Sequence, residues 1–470
     1  MINNISSIVD QMAAPPNRGR FNEKGPYYTS YPTLGLWSNE YDNNAYIKSL
    51  EELFCEYGEN VPLALYVHIP FCAKLCWYCI CNIQVSNNRN RIQEFTDYLT
   101  REIEHLGDCL NKLSVKPNVE DIHLGGGTPS HLDTAQFAQL MDKLSEFIDL
   151  SSLEELSMEI DPRTTNQNDL RYYADMGVTR ISFGIQDFDY FVQKSINRVQ
   201  PPEMVAELLT PDIRARFNGV NFDLLYGLPR QTRDTFRRTA ELVNQLSPER
   251  ITLLKYAHVP EVRKHMKLIK EDALPPDDDL PLMFAETVGT FLENDYEWIG
   301  IDNFAKKGDK LAEAVERKSL GRDFNGWNTG GSSRHLLGLG PTTTSAFGNY
   351  YYQSTYNNNE YYKAIDKIEF PILRGFRLSN DDMIRRDVIF DILCKQEVDM
   401  KEFNLNHDID FSKYFSTELD SLQKHFAPDG MVNLEDNKIL ISDWGRFFSR
   451  NICRVFDKFW NNKDYKITGP

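Results

Sequence analysis

Residues 66–81 read YVHIPFCAKLCWYCIC, and the last ten of them hold four of the chain's eight cysteines. The apolar run at 63–69 predicts a buried strand. Pro70 ends that strand, because proline cannot donate a hydrogen bond to a sheet. The cysteines therefore lie on a loop that leaves the carboxyl end of a strand. Ligands bind at that end in β/α architectures, so we predict a binding loop here.

Several kinds of site use cysteines at this spacing. Zinc suits thiolates, but no second CxxC or HxxxH pair follows in the sequence. Stable disulfides need an oxidising compartment, and residues 1–20 lack the apolar core of a signal peptide. An iron–sulfur cluster is the third alternative, because the C-x3-C-x2-C spacing supplies three thiolates and leaves a fourth iron open. Ordinary buried thiols are the fourth.

The composition limits the partners of this chain. Its 470 residues carry a net charge of −17, which argues against a binding face for nucleic acid phosphates. The hydrophobic fraction of 41% is ample for a core, yet no apolar run approaches the length of a membrane span. We therefore expect a cytoplasmic protein that acts on a small-molecule substrate, with no nucleic acid partner and no membrane partner.

Strand and helix patterns alternate from residue 63 onward. Amphipathic helical stretches are predicted at 92–113, 134–147 and 233–245. Six apolar runs that lie between such stretches predict strands, at 63–69, 121–124, 156–160, 179–186, 221–226 and 251–256. This alternation is typical of an α/β fold with a parallel sheet and helices outside it. Because parallel crossovers are right-handed, such a sheet can curl into a partial barrel.

Polar residues cluster where the predicted strands end. The glycine run at 125–127 lets a ligand approach the backbone, although such a loop is as often a tight turn. Glu159 could bind an amino or hydroxyl group, whereas the nearby Asp161 suits a helix N-cap better. Asp223 is an acid inside an otherwise apolar strand, and a buried carboxylate needs a partner. Arg198 could equally be an exposed surface charge.

The context of the cysteines resembles a known family. The segment HIPFC-x3-C-x-YC-x-CN resembles the signature of the oxygen-independent coproporphyrinogen III oxidases, which belong to the radical SAM superfamily. The resemblance covers residues 25–459. It implies a partial (β/α)6 radical SAM barrel between an N-terminal arm and a small, winged-helix-like helical domain. The implied boundaries are 1–60 for the arm, 61–375 for the barrel and its extension, and 376–470 for the C-terminal domain.

The resemblance also implies the cofactors and their residues. Cys72, Cys76 and Cys79 match the ligands of a [4Fe–4S] cluster, and Cys81 would lie beside the cluster without binding it. One or two molecules of S-adenosylmethionine (SAM) would bind next to the cluster. The matching SAM positions are Tyr66, Tyr78, Gly126, Gly127, Thr128, Glu159, Gln186, Arg198, Asp223, Ala257 and Thr344.

The activity implied by the resemblance belongs to haem biosynthesis. The cluster would reduce SAM to a 5′-deoxyadenosyl radical, which removes a hydrogen from a substrate propionate. The substrate radical would lose CO2 and pass one electron to an acceptor, which leaves a vinyl group, and two turnovers would give protoporphyrinogen IX. An electron donor protein would be needed, and the chain is expected to act as a monomer. Arg322 and Arg334 are candidates for propionate binding, because arginine pairs best with carboxylates.

Two other functions stay open at this point. The sequence departs from the family pattern at Tyr27, Ile80, Asn303, the Arg334-His335 insertion and Thr344. Such changes would suit a related C-methyltransferase or cyclopropane-forming enzyme of secondary metabolism that uses a second SAM. A haem-binding or haem-trafficking protein is an alternative of another class, and its candidate ligands are His68, His123, His131 and His258.

Overall fold

The computed structural model describes residues 5–58, 60–330 and 335–460. A mixed twelve-stranded sheet forms its centre, in the order β16-β15-β14-β13-β1-β4-β5-β6-β7-β8-β10-β9. The strands are β1 (Pro62–Ile69), β2 (Phe71–Cys72), β3 (Gln84–Val85), β4 (Asn118–Gly126), β5 (Glu155–Ile160), β6 (Arg180–Gln186), β7 (Gly219–Tyr226), β8 (Arg250–Lys255), β9 (Tyr296–Ile299), β10 (Asn303–Lys306), β11 (Gly321–Asp323), β12 (Gly326–Asn328), β13 (His335–Leu339), β14 (Thr344–Phe347), β15 (Tyr350–Ser354), β16 (Ile372–Arg377), β17 (Glu397–Asp399), β18 (Val432–Glu435) and β19 (Lys438–Ile441).

Helices separate most of these strands. They are α1 (Ile5–Met12), α2 (Pro15–Phe21), α3 (Asn43–Tyr57), α4 (Arg89–Lys112), α5 (Thr134–Ser145), α6 (Gln167–Asp175), α7 (Tyr190–Ser195), α8 (Pro202–Leu208), α9 (Pro211–Arg214), α10 (Arg233–Leu246), α11 (Leu280–Leu292), α12 (Lys310–Glu316), α13 (Asn358–Asp366), α14 (Asn380–Lys395), α15 (Met400–His407), α16 (Phe411–Tyr414), α17 (Ser416–His425), α18 (Asp443–Arg446) and α19 (Ser449–Cys453). None of the helices in the described ranges is long and apolar enough to cross a membrane.

The predicted α/β fold is confirmed in its central part. The six predicted strands are β1, β4, β5, β6, β7 and β8, and they pair in parallel in that order. Strand β4 is longer than predicted, because it continues to Gly126, which pairs with Ile69 of β1. Parallel pairing brings the carboxyl ends of all six strands to one edge, which is where the cysteine loop begins.

The sheet extends beyond the predicted barrel on both sides. Strand β13 pairs in parallel with β1, with His335 opposite Leu63, and the antiparallel strands β14, β15 and β16 follow it. At the other edge β10 pairs in antiparallel fashion with β8 and with β9. The insertion that the sequence analysis noted thus leads into a central strand: His335 begins β13, and Arg334 lies outside the described residues.

The helices cover the outer face of the sheet. In α4 the side chains of Ile92, Phe95, Leu99 and Ile103 recur at helical spacing and are buried against it. Each such side chain contributes about 1.5–3 kcal/mol through burial. The Asn88 side chain starts this helix by accepting hydrogen bonds from two backbone amides of the first turn. Apolar packing therefore lies outside the barrel, and polar groups are left for its interior.

The chain ends on either side of the barrel. In the N-terminal arm, residues 26–30 reach the cavity described below. Beyond the barrel, β17, β19 and β18 form a small sheet with helices α14–α19 around it, and β18 and β19 form a hairpin. Cys394 and Cys453 are buried there. The predicted boundary at 375/376 falls within β16, and the division into domains stays a prediction.

Candidate active site

A cavity of about 870 Å³ occupies the barrel. Its lining includes all three predicted cluster ligands and every predicted SAM residue except Tyr66. Tyr66 lies just behind the lining, where its ring stacks on His123 with centroids 5.7 Å apart. The cavity also reaches the opposite end of the barrel, where Glu155, Arg180 and Arg250 begin their strands. The strand-end groups that the sequence singled out are therefore brought together in one place.

The cysteine loop is held from both sides. The Thr128 hydroxyl donates to Cys72 Sγ over 3.3 Å, and the Trp77 amide donates to the Ile196 carbonyl over 3.0 Å. His265 Nε2 donates to the Cys79 carbonyl over 2.8 Å. The loop therefore leaves β1 with its direction fixed by three separate elements.

The donor set of this loop fits a [4Fe–4S] cluster. The thiols of Cys72, Cys76 and Cys79 line the cavity, and none of the chain's cysteines forms a disulfide. No group of three His, Cys, Asp or Glu side chains among the described residues converges as the ligands of a single metal ion would. A cluster does not need such convergence, because each of its thiolates binds a different iron.

The glycine loop packs directly against the segment that leads to the cysteines. Gly126 has a φ of +112°, and a Cβ atom there would lie 2.6 Å from the His68 ring. A Cβ atom on Gly127 would lie 2.8 Å from the Pro70 carbonyl. The Gly127 amide donates to the Ile69 carbonyl over 2.8 Å. Only glycine fits this approach, so the run is a close-packed loop, and its role in ligand binding stays a prediction.

Two acids at the strand ends have defined partners. Glu159 Oε2 accepts from the Gly126 amide at 3.2 Å, and its Oε1 lies 3.4 Å from His123 Nε2. The Asp223 carboxylate accepts from the Ser182 hydroxyl at 2.9 Å and from the Asn221 amide at 2.8 Å. Burial and then the charge of Glu159 raise the pKa of Asp223 to about 6. The expectation that this buried acid has partners is confirmed.

Gln186 and Arg198 reach the same cavity by an irregular path. Gln186 has a φ of +66° and follows a break in the β6–β7 register. Such strained backbone is common where a side chain must be aimed. The Arg198 guanidinium donates twice to the Gly184 carbonyl, over 2.6 and 3.0 Å. Arg198 is buried and is therefore no exposed surface charge.

Sequence reasoning missed one cation at this site. Arg163 Nη2 donates to Cys76 Sγ over 3.4 Å, and Arg198 Nη1 donates to the same sulfur over 3.5 Å. Arg163 also pairs with Asp161 over 2.6 Å. Burial raises the pKa of Asp161, but Arg198 and Arg163 together lower it to about 2. The helix N-cap expected at Asp161 is Asn166 instead. The spacing of Asp161 and Arg163, an acid and a base two residues apart after a strand, was the sequence signal that could have indicated Arg163.

The positions that depart from the family pattern lie around the same cavity. Tyr27, Ile80, Asn303 and Thr344 line it, and so does Arg322. The second arginine candidate, Arg334, cannot be placed because it is outside the described ranges.

The four histidines considered as haem ligands have other partners. His68 Nε2 lies 3.2 Å from the Asn82 carbonyl, and His123 Nδ1 lies 2.6 Å from the Ser157 hydroxyl. A carbonyl or hydroxyl oxygen also lies 2.8 Å from a ring nitrogen of the other two, His131 and His258.

Comparison with known proteins agrees with this geometry. Residues 66–243 match the family model described as the radical SAM superfamily. Membership of that superfamily implies a [4Fe–4S] cluster and SAM, the groups for which the cysteine loop and the strand ends are suited.

Full-length relatives narrow the assignment. The oxygen-independent coproporphyrinogen III oxidase of Escherichia coli is 36% identical over 94% of this chain and 95% of its own length. The Pseudomonas aeruginosa enzyme is 36% identical over 94% of each chain. The solved structure of the Escherichia coli enzyme matches with a TM-score of 0.86 and 35% identity, over 92% of this chain and 97% of that one. The chain therefore belongs to the oxygen-independent coproporphyrinogen III oxidase family.

Proposed function

We propose that this protein is an oxygen-independent coproporphyrinogen III oxidase. Its reaction would be the oxidative decarboxylation of two substrate propionates to vinyl groups, giving protoporphyrinogen IX. The observation that carries the proposal is that the three-cysteine loop, the glycine loop and the strand-end acids all line one cavity. Relatives with this name match the chain over nearly its whole length, which supports the same reaction here.

In this proposal Cys72, Cys76 and Cys79 hold the cluster, and Cys81 lies beside it. When bound, the cluster and SAM supply the one-electron chemistry that removes a hydrogen atom from a substrate carbon. The guanidinium groups of Arg163 and Arg198 both donate towards the Cys76 sulfur and so hold that side chain in place.

The proposed SAM site uses the strand ends on the same side of the barrel. Gly126, Gly127 and Thr128 would present backbone groups to the methionine part, and Glu159 would take its amino group. Arg198 would pair with the SAM carboxylate, while Gln186 and Asp223 would reach the nucleoside. The remaining proposed contacts are Tyr66, Tyr78, Ala257 and Thr344.

The N-terminal arm would exclude water from this site. Its residues 26–30 line the cavity, and the side chains of Tyr28 and Tyr31 are buried. Excluding water strengthens the electrostatic interactions inside and protects reactive species. The arm therefore has the position of a cover over the substrate.

The partners of the enzyme are part of the proposal. We propose a cytoplasmic monomer that receives electrons from a separate donor protein, and its unpaired cysteines suit a reducing compartment. A second SAM molecule stays a prediction. Equilibrium dialysis of labelled SAM against the reconstituted enzyme would count the SAM sites directly.

The test of the reaction is anaerobic. The cluster is reconstituted, and SAM, a reductant and coproporphyrinogen III are added to wild type, Cys76→Ala and Cys55→Ala. We expect 5′-deoxyadenosine, CO2 and a vinyl product from wild type and Cys55→Ala, because Cys55 is an exposed thiol that does not line the cavity. Cys76→Ala should lose at least about 100-fold in 5′-deoxyadenosine formation, since one cluster ligand is missing.

The products separate this function from its rivals. S-adenosylhomocysteine without CO2 would point to the methyltransferase alternative. Formation of 5′-deoxyadenosine with no vinyl product would keep the radical chemistry and reject the substrate. Equal activity of Cys76→Ala and wild type would reject the cluster site itself.

A further inference from the structure

One arginine of the cavity wall forms no ion pair with the residues that the structure describes. Arg322 lies on β11, lines the cavity and is only 6% exposed. Its Nη2 donates to the Tyr27 carbonyl over 3.2 Å, and its guanidinium lies 4.1 Å from the centre of the Trp327 ring. Its Nε is buried and has no hydrogen-bond partner, and Arg322 forms no ion pair within the described ranges.

An arginine in this situation carries a large energetic cost. The guanidinium group stays protonated in proteins, and a buried charge without a partner is strongly disfavoured. Proteins retain such groups where a ligand supplies the missing charge. The planar N–H fork of arginine matches a carboxylate in particular, through two parallel hydrogen bonds.

A second cation lines the same cavity. Lys255, at the end of β8, lines the cavity, and its Nζ donates to Asn22 Oδ1 over 3.2 Å. Lys255 too has no ion pair with any residue that the structure describes. The nearby acid, Asp302, accepts a hydrogen bond from Trp327 Nε1 at 2.8 Å. We call Lys255 and Arg322 the cationic wall.

We infer that Arg322 binds a carboxylate of the substrate, with Lys255 as a weaker second contact. This inference rests on the proposed function, in which the substrate carries several propionates. The ring of Trp327 packs against the Arg322 guanidinium at the cavity wall. The site therefore selects substrates that present a carboxylate to Arg322.

The chemistry indicates which carboxylate is bound. Decarboxylation removes the negative charge of the reacting carboxylate, so a guanidinium paired with it would stabilise the ground state more than the transition state. Arg322 therefore holds a carboxylate that the turnover retains, and it orients the reacting propionate from a distance.

The experiment compares Arg322→Gln, Arg322→Lys and Arg377→Gln in the reconstituted holoenzyme. Arg377 is the matched control, because its guanidinium also lies over an aromatic ring, that of Tyr350, but does not line the cavity. Anaerobic KM and kcat for coproporphyrinogen III are measured, together with the affinity for its tetramethyl ester, which carries no carboxylate.

If Arg322 binds a carboxylate that the turnover retains, its substitution should change KM much more than kcat. Arg322→Gln should raise KM by about 30-fold or more, since losing one partner of a buried charge pair costs about 2 kcal/mol or more. The value of kcat should change less than about threefold, and Arg322→Lys should fall in between. Affinity for the ester should not change in any variant, and Arg377→Gln should behave as wild type.

Three results would overturn the inference. Equal weakening of the acid and the ester in Arg322→Gln would show a packing role. A rise in KM accompanied by a rise in kcat would place the arginine at the reacting carboxylate. Unchanged kinetics would show that the arginine does not contact the substrate.

A failure of the proposed function would be visible separately. If wild type neither binds nor converts coproporphyrinogen III, the proposed substrate is wrong, and sodium propionate becomes the probe. Propionate should then raise the thermal unfolding temperature of wild type more than that of Arg322→Gln, relative to sodium chloride at equal ionic strength. Equal shifts in both proteins would reject the carboxylate site.

Discussion

The same cavity contains two sets of cations that differ in one respect. At the barrel floor, Arg180 and Arg250 contact both Glu155 and Asp309, with the four contacts between 2.8 and 3.2 Å. On the cationic wall, Arg322 and Lys255 have no carboxylate partner among the described residues. The charges of Arg180 and Arg250 are compensated within the protein. The charges of Arg322 and Lys255 are the ones for which we infer an anionic ligand.

The floor network closes the end of the barrel away from the cluster loop. Glu155, Arg180 and Arg250 are the first residues of their strands, and Asp309 caps α12. Each arginine bridges both acids, so no charge is left over. The network ties three parallel strands to a helix that lies outside the predicted barrel.

The largest expected effect on stability comes from removing one arginine of the ion-pair network at the barrel floor. Arg250→Gln would leave Glu155 and Asp309 with one cation between them, and we expect a loss of about 3–5 kcal/mol in the free energy of unfolding. Denaturant unfolding of the cluster-free protein measures it. Arg237→Gln is the control, because Arg237 is an exposed residue with surface pairs and should change stability by less than about 0.5 kcal/mol. A floor variant as stable as wild type would contradict the structural role.

The pH dependence of the free energy of unfolding tests the same network by protonating Glu155. Burial raises the pKa of Glu155, but Arg250 and Arg180 lower it to about 2. A lowered pKa contributes stability that is present above the unfolded value near pH 4.5 and is lost as the pH falls towards 2. The stability advantage of wild type over Glu155→Gln should therefore shrink by about 2 kcal/mol between pH 6 and pH 3. A difference that stays constant over this range would count against the ion pairs.

Substitution on the cationic wall should change the free energy of unfolding in the opposite direction. Arg322→Met removes an uncompensated buried charge, so we expect the ligand-free protein to gain about 1 kcal/mol in the free energy of unfolding. The gain and the loss of substrate affinity should occur in the same variant, as in other sites that sacrifice stability for function. Denaturant unfolding alongside Arg250→Gln makes the comparison direct. Destabilisation of Arg322→Met by several kcal/mol would mean that both arginines serve the fold.

The barrel strands and the cavity-lining residues at their carboxyl ends could be predicted from short stretches of sequence. A proline ends the strand before Cys72, so the position of the cysteine loop follows from residues next to it. Parallel strands share one carboxyl edge, so Glu159 and Asp223 were expected near that loop, and both line the cavity with it. Asp223 was predicted to have partners because an acid interrupts an apolar run.

Other features could not be predicted in this way. Strand β13 follows an insertion that interrupts the recognisable pattern, so its pairing with β1 was not foreseen. The contact between Arg163 and Cys76 joins two loops 87 residues apart. Neither the β13–β1 pairing nor the Arg163–Cys76 contact can be predicted from neighbouring residues, because both depend on which strands and loops become neighbours in the fold.

The sequence by itself determined the six parallel strands, the three-thiol loop and the residue types that surround it. Only the tertiary structure decided which arginines are paired. Arg250 meets Glu155, which lies 95 residues away along the chain, whereas Arg322 meets the Tyr27 carbonyl and no acid within the described part of the chain. Whether a buried charge is compensated depends on distant residues that folding brings into contact. That is why an arginine that is one of many in the sequence becomes a candidate substrate contact in the fold.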